Sequence, residues 1–393
     1  MPEASILAVN SGSSSLKFAL FDGDGEKARL RGSIGGIGAQ TRIHLKDGDG
    51  HDLQTPQAEL PDAQSALDWM LDCLEQRGEK ATLNAVGHRL VHGGPRQFDP
   101  LPLDQAALDQ LRQVVPFAPL HLPAELAAIE TIGWGLHGKP QFAVFDTQFH
   151  RDMPAPARHY PLPQNFADSG VVRYGFHGLS YQSCLRWLRR QYGEAAAQGR
   201  LLVLHLGSGC SLAAIRDGRS LDCTMGFSPT GGVTMGTRSG DLDPGLLLYL
   251  LEREGMAPRP LGELLQRRSG LLGLSGGRSA DPGELLRHEE EDPAAHLALE
   301  VFCHSVRKAL GALAAVLGGL DRVVFTGGVG EHLPQIRARV CRDFEYLGLR
   351  LDEAANRANA ARISPDGALP VHVAPADEEG VIATAVAACL NHP

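Results

Sequence analysis

One Gly/Ser-punctuated hairpin pattern occurs twice in this chain at a single gapless offset. ILAVNSGSSSLKFALFDGD begins at Ile6 and LLVLHLGSGCSLAAIRDGR at Leu201, so a shift of 195 residues carries Gly12 onto Gly207, Ser13 onto Ser208 and Asp22-Gly23 onto Asp217-Gly218. Each copy reads as an apolar run, a turn of small residues, a second β-type run and an Asp-Gly turn of the kind that closes tight hairpins. Each copy also heads about half of the chain, which predicts two duplicated domains facing each other across a cleft. Small turn residues leave backbone N–H groups free to surround an anion, and two such turns together suit a polyphosphate.

At 393 residues the chain is long enough for two full cores, since single cores stop growing at roughly 250–300 residues. The formal net charge of −9 argues against nucleic acid or an anionic membrane as the main partner, because both call for a basic surface. An acidic protein that handles anions has to concentrate its Arg and Lys locally. Cys73, Cys184, Cys210, Cys223, Cys303, Cys341 and Cys389 are scattered, odd in number and without a CxxC pair, which suits neither a disulfide framework nor a zinc site. The opening MPEASILAVN goes straight into a strand pattern with no basic segment and apolar stretch of signal-peptide type, and no apolar run reaches membrane-spanning length. The expectation is a soluble, cytoplasmic protein with neither membrane nor nucleic-acid partners.

Strand-like runs cover 6–9, 16–21, 85–91, 141–145, 201–206, 211–215 and 322–325, and helical periodicity covers 62–77, 104–114, 181–192, 243–254 and 293–317. Asp243-Pro244 suits a helix start, with Asp as N-cap and Pro in the first turn. The polar stretch 47–61 reads as a surface excursion and 154–165 as a Pro-rich crossing point. Hairpins interspersed with helices predict α/β domains and exclude a purely parallel doubly wound sheet. Neither small-residue turn is a Walker P-loop, since GxxxxGK[ST] is absent and each turn leads into a strand.

Between the two hairpins lie GHRLVHGG (87–94), APLHLP (118–123), FDTQFH (145–150) and RYGFHG (173–178); after the second come MGTRSGDLDPG (235–245), FTGGVGEH (325–332) and PADEEGVIA (375–383). Together with NSGSSSLKF (10–18), and in this order, they resemble the acetate kinase family from the first strand to the last helix. The resemblance implies two duplicated actin-like (ribonuclease H-like) domains, residues 1–147 with 378–393 and residues 148–377, the second carrying the nucleotide site and a dimer interface. It also implies Mg²⁺-dependent phosphoryl transfer between ATP and acetate, giving ADP and acetyl phosphate, in a homodimer, with Mn²⁺ able to substitute.

Transfer to a carboxylate brings two anions together, so charge must be neutralised and the nucleophile aligned. Arg89 and Arg238 sit in Gly-punctuated segments where a planar guanidinium can grip carboxylate or phosphoryl oxygens. Asp146 follows the apolar strand QFAVF, at the strand end where α/β sheets carry their sites. By resemblance Arg89 and Arg238 line the transfer site, His177 and Arg238 stabilise the phosphoryl group in flight, and Asp146 orients the site. Asn10 and Glu378 match the metal positions, and of the adjacent Glu378 and Glu379 one is expected to be solvated. Val91, Leu120, Phe176 and Pro229 match the acyl pocket, where valine favours acetate over longer acids while leaving propionate a poorer substrate. Lys17, Ser13 and Ser15 match the phosphate-side hairpin, and strand alternation puts Lys17 on the face opposite Leu16 and Phe18. His121 matches a family histidine, though Leu122 follows it where Asn is usual. His88 and His92 have an H-x3-H spacing, but the segment ends in Gly93-Gly94 and no third zinc ligand is evident.

The nucleotide side matches at His205, Gly207, Gly209, Asp281, Gly328, Val329, Gly330 and Glu331, with Gly327, Gly328 and Gly330 forming a close-approach loop. Departures cluster there as well. Ser208 and His332 stand where Asn is usual, and Pro282 and Gly283 stand where an aromatic residue and an Arg flank the adenosine. Asp281-Pro282 followed by Glu284 also spells a helix capping box, so cap and nucleotide contact both remain open. Loose base recognition is therefore expected, with GTP or pyrophosphate as alternative donors, propionate kinase as an alternative enzyme, and a nucleotide-binding actin-like sensor as the non-enzymatic rival.

Overall fold

The computed structural model describes residues 4–12 and 15–391, and the chain divides into two compact units, Met1–Gln148 with Asp377–Pro393 and Phe149–Ala376. The first unit carries a seven-stranded mixed sheet: β1 (Ser5–Ser11), β2 (Ser15–Asp22), β3 (Ala28–Gly35), β4 (Arg42–Asp47), β5 (Leu83–Leu90), β6 (Leu101–Pro102) and β7 (Gln141–Phe145), in the order β4-β3-β2-β1-β5-β7-β6. Alternation sorts its faces. Leu16, Phe18, Leu30, Ile34, Ile43 and Leu45 point inward against α1 (Ala63–Gln76) and α2 (Leu122–Gly135), while Lys17, Arg31, His44 and Lys46 take the other side. Asp62 starts α1 with a reciprocal capping box, accepting from Ser65 N at 2.8 Å. On the sheet's other face the C-terminal helix Glu378–Asn391 lies against β1 and β5. Gly87 permits this, since a Cβ there would lie 2.5 Å from Ile382.

The second unit repeats the pattern with β8 (Arg200–Leu206), β9 (Cys210–Arg216), β10 (Arg219–Cys223), β11 (Arg322–Thr326) and β12 (Val371–Val373), in the order β10-β9-β8-β11-β12. The 195-residue shift maps the bounds of β1 onto those of β8 and the first residue of β2 onto that of β9. The likeness extends beyond the hairpin. In both units two successive antiparallel pairings extend the sheet on one side of the first strand and two successive parallel pairings on the other, so β3-β2-β1-β5-β7 and β10-β9-β8-β11-β12 share order and sense.

The principal helices of this unit are α3 (Gly178–Tyr192), α4 (Pro244–Glu252), α5 (Pro282–His288), α6 (Pro293–Leu317) and α7 (Gly327–His332). Helix α6 has Asp292 as N-cap, Pro293 in its first turn and Gly318 in the left-handed region just past its end, and it buries Ala295, Ala298, Leu299, Phe302, Val306, Leu310 and Leu313 against β8 and β9. No helix among the described residues is long and apolar enough to cross a membrane.

Three sequence expectations need correction. The Pro-rich crossing at 154–165 contains two helical turns, Ala155–Arg158 and Gln164–Asp168, because Pro is well placed at a helix start. The segment 327–332 is a short helix rather than a loop. Asp281 does cap α5, accepting from Gly283 N at 2.8 Å, but Glu284 accepts from Ser279 Oγ at 2.7 Å, so the capping box is not closed.

Gly327 and Gly328 separate backbone necessity from free space. Gly327 has φ +77° and an added Cβ would lie 2.6 Å from the Leu206 carbonyl oxygen, whereas a Cβ at Gly328 meets nothing within 4 Å. Gly327→Ala is expected to destabilise the unit by about 1–3 kcal/mol and Gly328→Ala to stay within about 0.5 kcal/mol of the parent. Urea unfolding midpoints of the two variants check this, and equal midpoints would refute it.

Candidate active site

In the first unit the sequence-selected residues meet around one half-buried cation. Arg89, near the end of β5, donates through Nη2 to Asp146 Oδ2 at 2.7 Å and through Nη1 to Asn10 Oδ1 at 3.3 Å, with Glu378 Oε2 3.9 Å from its Nε. Asn10 Nδ2 in turn donates to Glu378 Oε2 at 2.7 Å. These groups come from β1, β5, the turn after β7 and the first turn of the C-terminal helix. Parallel neighbours thus place their ends side by side. Burial by itself pulls the Arg89 guanidinium down, but Asp146 and then Glu378 outweigh that and hold it above the ordinary arginine range.

Sequence reasoning missed one member of this cluster. Glu125, in the first turn of α2, is buried and accepts from Val91 N at 3.0 Å, and desolvation pushes its carboxyl up to about 7 against the opposing pull of Arg89 and the Val91 N–H. Nothing in the apolar pattern of α2 marks it. Val91 is buried, while Leu120 of the same expected pocket is exposed. The expectation that one of Glu378 and Glu379 is solvated fails. Glu378's side chain is 13% exposed, and Glu379 is buried with its Oε1 lacking a hydrogen-bond partner and its carboxyl pushed up by desolvation and by Glu378.

One guanidinium therefore faces an excess of carboxyl groups. Two carboxylates and an amide oxygen suit a hard cation that keeps several waters, and among the described residues no group of three His, Cys, Asp or Glu forms a protein cage for a metal. His88 and His92 each make a hydrogen bond of their own within the first unit. Burial pushes both imidazoles down to about 4; His88 Nε2 pairs with Gln141 Oε1 at 2.7 Å, and His92 Nδ1 accepts from Gly94 N at 2.7 Å. Lys17 and Ser15 are exposed on β2, with Lys17 opposite Leu16 and Phe18 as expected, and Ser13 lies outside the described residues.

The second unit gathers the remaining candidates. His177 precedes α3 at φ 57°, a left-handed conformation that costs a non-glycine residue on the order of 1 kcal/mol and is worth retaining where function needs it. Its ring stacks on His205 with centroids 4.1 Å apart, and His205 Nδ1 is 2.7 Å from Ser180 Oγ. Arg238 Nη1 donates to the Pro229 carbonyl at 3.0 Å. Gly209 brings the two nitrogen groups together. A Cβ built there would lie 3.3 Å from Arg238 Nη1 and 3.4 Å from His177 Nε2, so a single methyl-sized space touches both. Phe176 and Pro229 are buried beside these residues in the chain.

Beyond Gly209 the backbone is drawn close by glycines. Gly327 abuts the Leu206 carbonyl, and Gly236, which sequence reasoning passed over, fits between the Ala280 carbonyl and the Ser208 carbonyl, with Cβ distances of 2.9 and 3.4 Å. Ser208, Asp281, Gly328 and His332 are exposed around these contacts, Pro282, Val329 and Gly330 are buried, and Gly207 and Gly283 lie between. Glu331 Oε1 accepts from Gly327 N and Ala376 N, each at 3.1 Å, so its carboxylate braces the backbone. The buried Arg337 closes the far end of α7, donating through Nη1 to the Gly330 and Glu331 carbonyls at 2.8 and 3.0 Å. Such a rigid, small-residue cradle suits a polyphosphate, and the donors at Gly209 suit a phosphoryl group.

The comparisons agree with this chemistry. The family model described as Acetokinase family matches residues 5–384. The chain is 42% identical over 388 residues to an acetate kinase of Rhodopseudomonas palustris, covering 96% of each chain. Among solved structures it resembles a propionate kinase of Francisella tularensis, with TM-score 0.88, 30% identity and coverage of 97% of this chain and 98% of that one. It also resembles an acetate kinase of Porphyromonas gingivalis, with TM-score 0.84, 34% identity and coverage of 98% and 100%.

Glu125 generates a pH test. Its folded pKa of about 7 lies above the ordinary 4.5, so the folded state holds a proton that the unfolded state releases, and stability falls as pH rises from about 4.5 to 7. Glu125→Gln keeps an acceptor for Val91 N and removes the titration. Relative to the parent, the variant is expected to gain up to about 3 kcal/mol between pH 4.5 and pH 8 in ligand-free denaturant titrations. A parent–variant difference that does not change with pH would refute the assignment.

Proposed function

This chain belongs to the acetokinase family, which has a two-domain actin-like fold, and we propose that it transfers the γ-phosphoryl group of ATP to acetate, reversibly, giving acetyl phosphate and ADP. The observation that carries the reading is the hydrogen-bonded Arg89–Asp146–Asn10–Glu378 cluster, assembled in a chain that matches acetate kinases over nearly its full length. A nucleotide-binding sensor has no use for that constellation.

Arg89 holds the acetate carboxylate, with Asp146 and Asn10 fixing the guanidinium, and Val91 limits the acyl tail. An acetate oxygen forms the new bond to the γ-phosphorus while the bond from phosphorus to the β–γ bridging oxygen breaks and its electron pair leaves with ADP. No covalent enzyme intermediate is required. Arg238 and His177 Nε2 donate to the phosphoryl oxygens in flight, and because their positions are set before the reaction they cost little reorganisation. Asn10 and Glu378 would hold Mg²⁺, which would supply charge neutralisation to the polyphosphate. Ser15 and Lys17 serve the phosphates from the first hairpin, and the Gly207–Gly209 turn, 281–283 and 328–332 serve the nucleotide. We place the reaction in the reducing cytoplasm, where seven free thiols are stable.

A homodimer accompanies this reading. Helix α4, PGLLLYLLE, buries none of its residues within the chain; Leu246, Leu248 and Tyr249 are exposed along it and Leu242 is exposed just before its start. An apolar stripe of this kind marks an interface, and a second copy offers the same stripe to it.

Arg89→Ala and Arg238→Ala are each expected to lower kcat on the order of 10³- to 10⁵-fold, about 4–7 kcal/mol, with lysine rescuing only in part. Trapping the product as acetohydroxamate with hydroxylamine reads this out, and losses under about tenfold in both folded variants would overturn the assignment. Leu248→Glu is expected to convert the dimer to monomer in sedimentation velocity. A parent that is monomeric at micromolar concentration would refute the interface.

A further inference from the structure

We propose that Tyr181 and Ser211 are positioning residues that fix His177 in the tautomer carrying its proton on Nε2, so that the ring presents an N–H to the space above Gly209. The proposal rests on the reading that His177 donates to the phosphoryl group, and it adds what decides which nitrogen does so.

Ser211 Oγ is fully buried on β9 and lies between two partners, His177 Nδ1 at 2.7 Å and the Tyr181 hydroxyl in a short contact. A serine hydroxyl has one proton to give and two lone pairs to offer, so the direction of the chain decides the histidine tautomer. Tyr181 is the better donor of the two hydroxyls, because a phenol is far more acidic than an aliphatic alcohol. Its O–H donates to Ser211 Oγ, and the serine proton then goes to His177 Nδ1. With Nδ1 accepting, the neutral ring carries its proton on Nε2. That nitrogen is the one 3.4 Å from a Cβ built at Gly209, alongside Arg238 Nη1.

The surroundings hold this chain in one direction. Tyr181 is fully buried and sits one turn into α3, its N–H donating to the His177 carbonyl at 3.0 Å, so His177 and Tyr181 share a helix face. Its ring is packed edge-on against His150, with centroids 5.6 Å apart, and against Phe149 at 6.0 Å. His150 secures the backbone as well. A carbonyl only accepts, so His150 Nε2–H donates to the Phe176 carbonyl at 3.0 Å, while Nδ1 accepts from Ser220 Oγ at 2.7 Å. Gly175 leaves the room this requires, since a Cβ there would lie 2.5 Å from the His150 ring. The residue before His177 is thus pinned by His150, its ring is directed by Ser211, and one face of the ring is covered by His205.

The test is long-range ¹H–¹⁵N correlation of histidine-labelled protein without substrate at about pH 9, where imidazoles are neutral, joined to steady-state kinetics. The parent is expected to show His177 protonated on Nε2. Ser211→Ala is expected to populate the Nδ1-protonated form and to lower kcat roughly ten- to a hundredfold, with KM for acetate and ATP within about twofold of the parent. Tyr181→Phe, which keeps the ring and removes only the hydroxyl, is expected to move both readouts in the same direction by less, and it carries the test should Ser211→Ala fail to fold. A parent His177 protonated on Nδ1 would overturn the proposal, as would a Tyr181→Phe or Ser211→Ala protein with unchanged tautomer and unchanged kcat. The spectrum is independent of turnover. If it shows the Nε2–H form while His177→Ala keeps full activity, the role given to His177 fails and the relay stands.

Discussion

A single desolvated guanidinium organises the first unit. Arg89 is held among Asp146, Glu378 and Glu125, so one positive charge faces three carboxyl groups where solvent reaches it only in part. Such an imbalance has two physical exits. One is to keep a proton, as the raised pKa of Glu125 and the raised carboxyl of Glu379 indicate. The other is to recruit a cation. A pocket in this condition resists binding an anion until a counter-charge arrives, which is why a carboxylate substrate and a metal-bound polyphosphate make a natural pair of ligands for it. Sheet topology makes the cluster possible, since the contributing groups lie at or just beyond the ends of three neighbouring strands and at the start of a helix packed across them.

The second unit brings its candidate donors together by a different device. It does so by removing side chains. Gly209 leaves the space in which Arg238 and His177 meet, Gly236 lets two carbonyl-bearing segments approach, and Gly327 takes a conformation closed to other residues while touching the Leu206 carbonyl. Glu331 and Arg337 then spend their charges on backbone groups at opposite ends of α7. The surface around these glycines is thereby built largely from main chain, and this tolerates side-chain replacements such as Ser208, Pro282, Gly283 and His332 better than a pocket of specific side-chain contacts would.

Much of this was legible in the sequence because the repeat is local and gapless. Hairpin register follows from strand alternation and small-residue turns, so β1–β2 and β8–β9 could be placed from residue types alone. Short motifs with Gly on either side marked Arg89, Arg238 and His177 for the same reason. Glu125 was not legible, because an acid in an otherwise apolar helix turn is usually solvated, and only the fold shows that α2 carries it beneath Val91. Ser211 and Tyr181 were equally silent. A serine in an apolar strand and a tyrosine at a helix start acquire meaning only when Ser211 Oγ is seen between Tyr181 and His177. The expectation for Glu378 and Glu379 rests on adjacent residues pointing apart, whereas a first helical turn packed on a sheet buries Glu379 and leaves Glu378 only partly exposed.

The chain is threaded so that the first unit is interrupted by the second and completed only by the helix Glu378–Asn391. During synthesis at about 5–20 residues per second, domains fold as their sequence emerges. The second unit is therefore able to close while β1 and β5 still lack the helix that covers them. Glu378, which accepts from Asn10 across 368 positions of sequence, emerges only after the whole of the second unit. A chain that terminates early would carry Arg89 and Asp146 without their third partner, and with an exposed apolar sheet face that quality control can recognise. Completion of the Arg89 cluster is thus coupled to synthesis of everything that lies between Asn10 and Glu378.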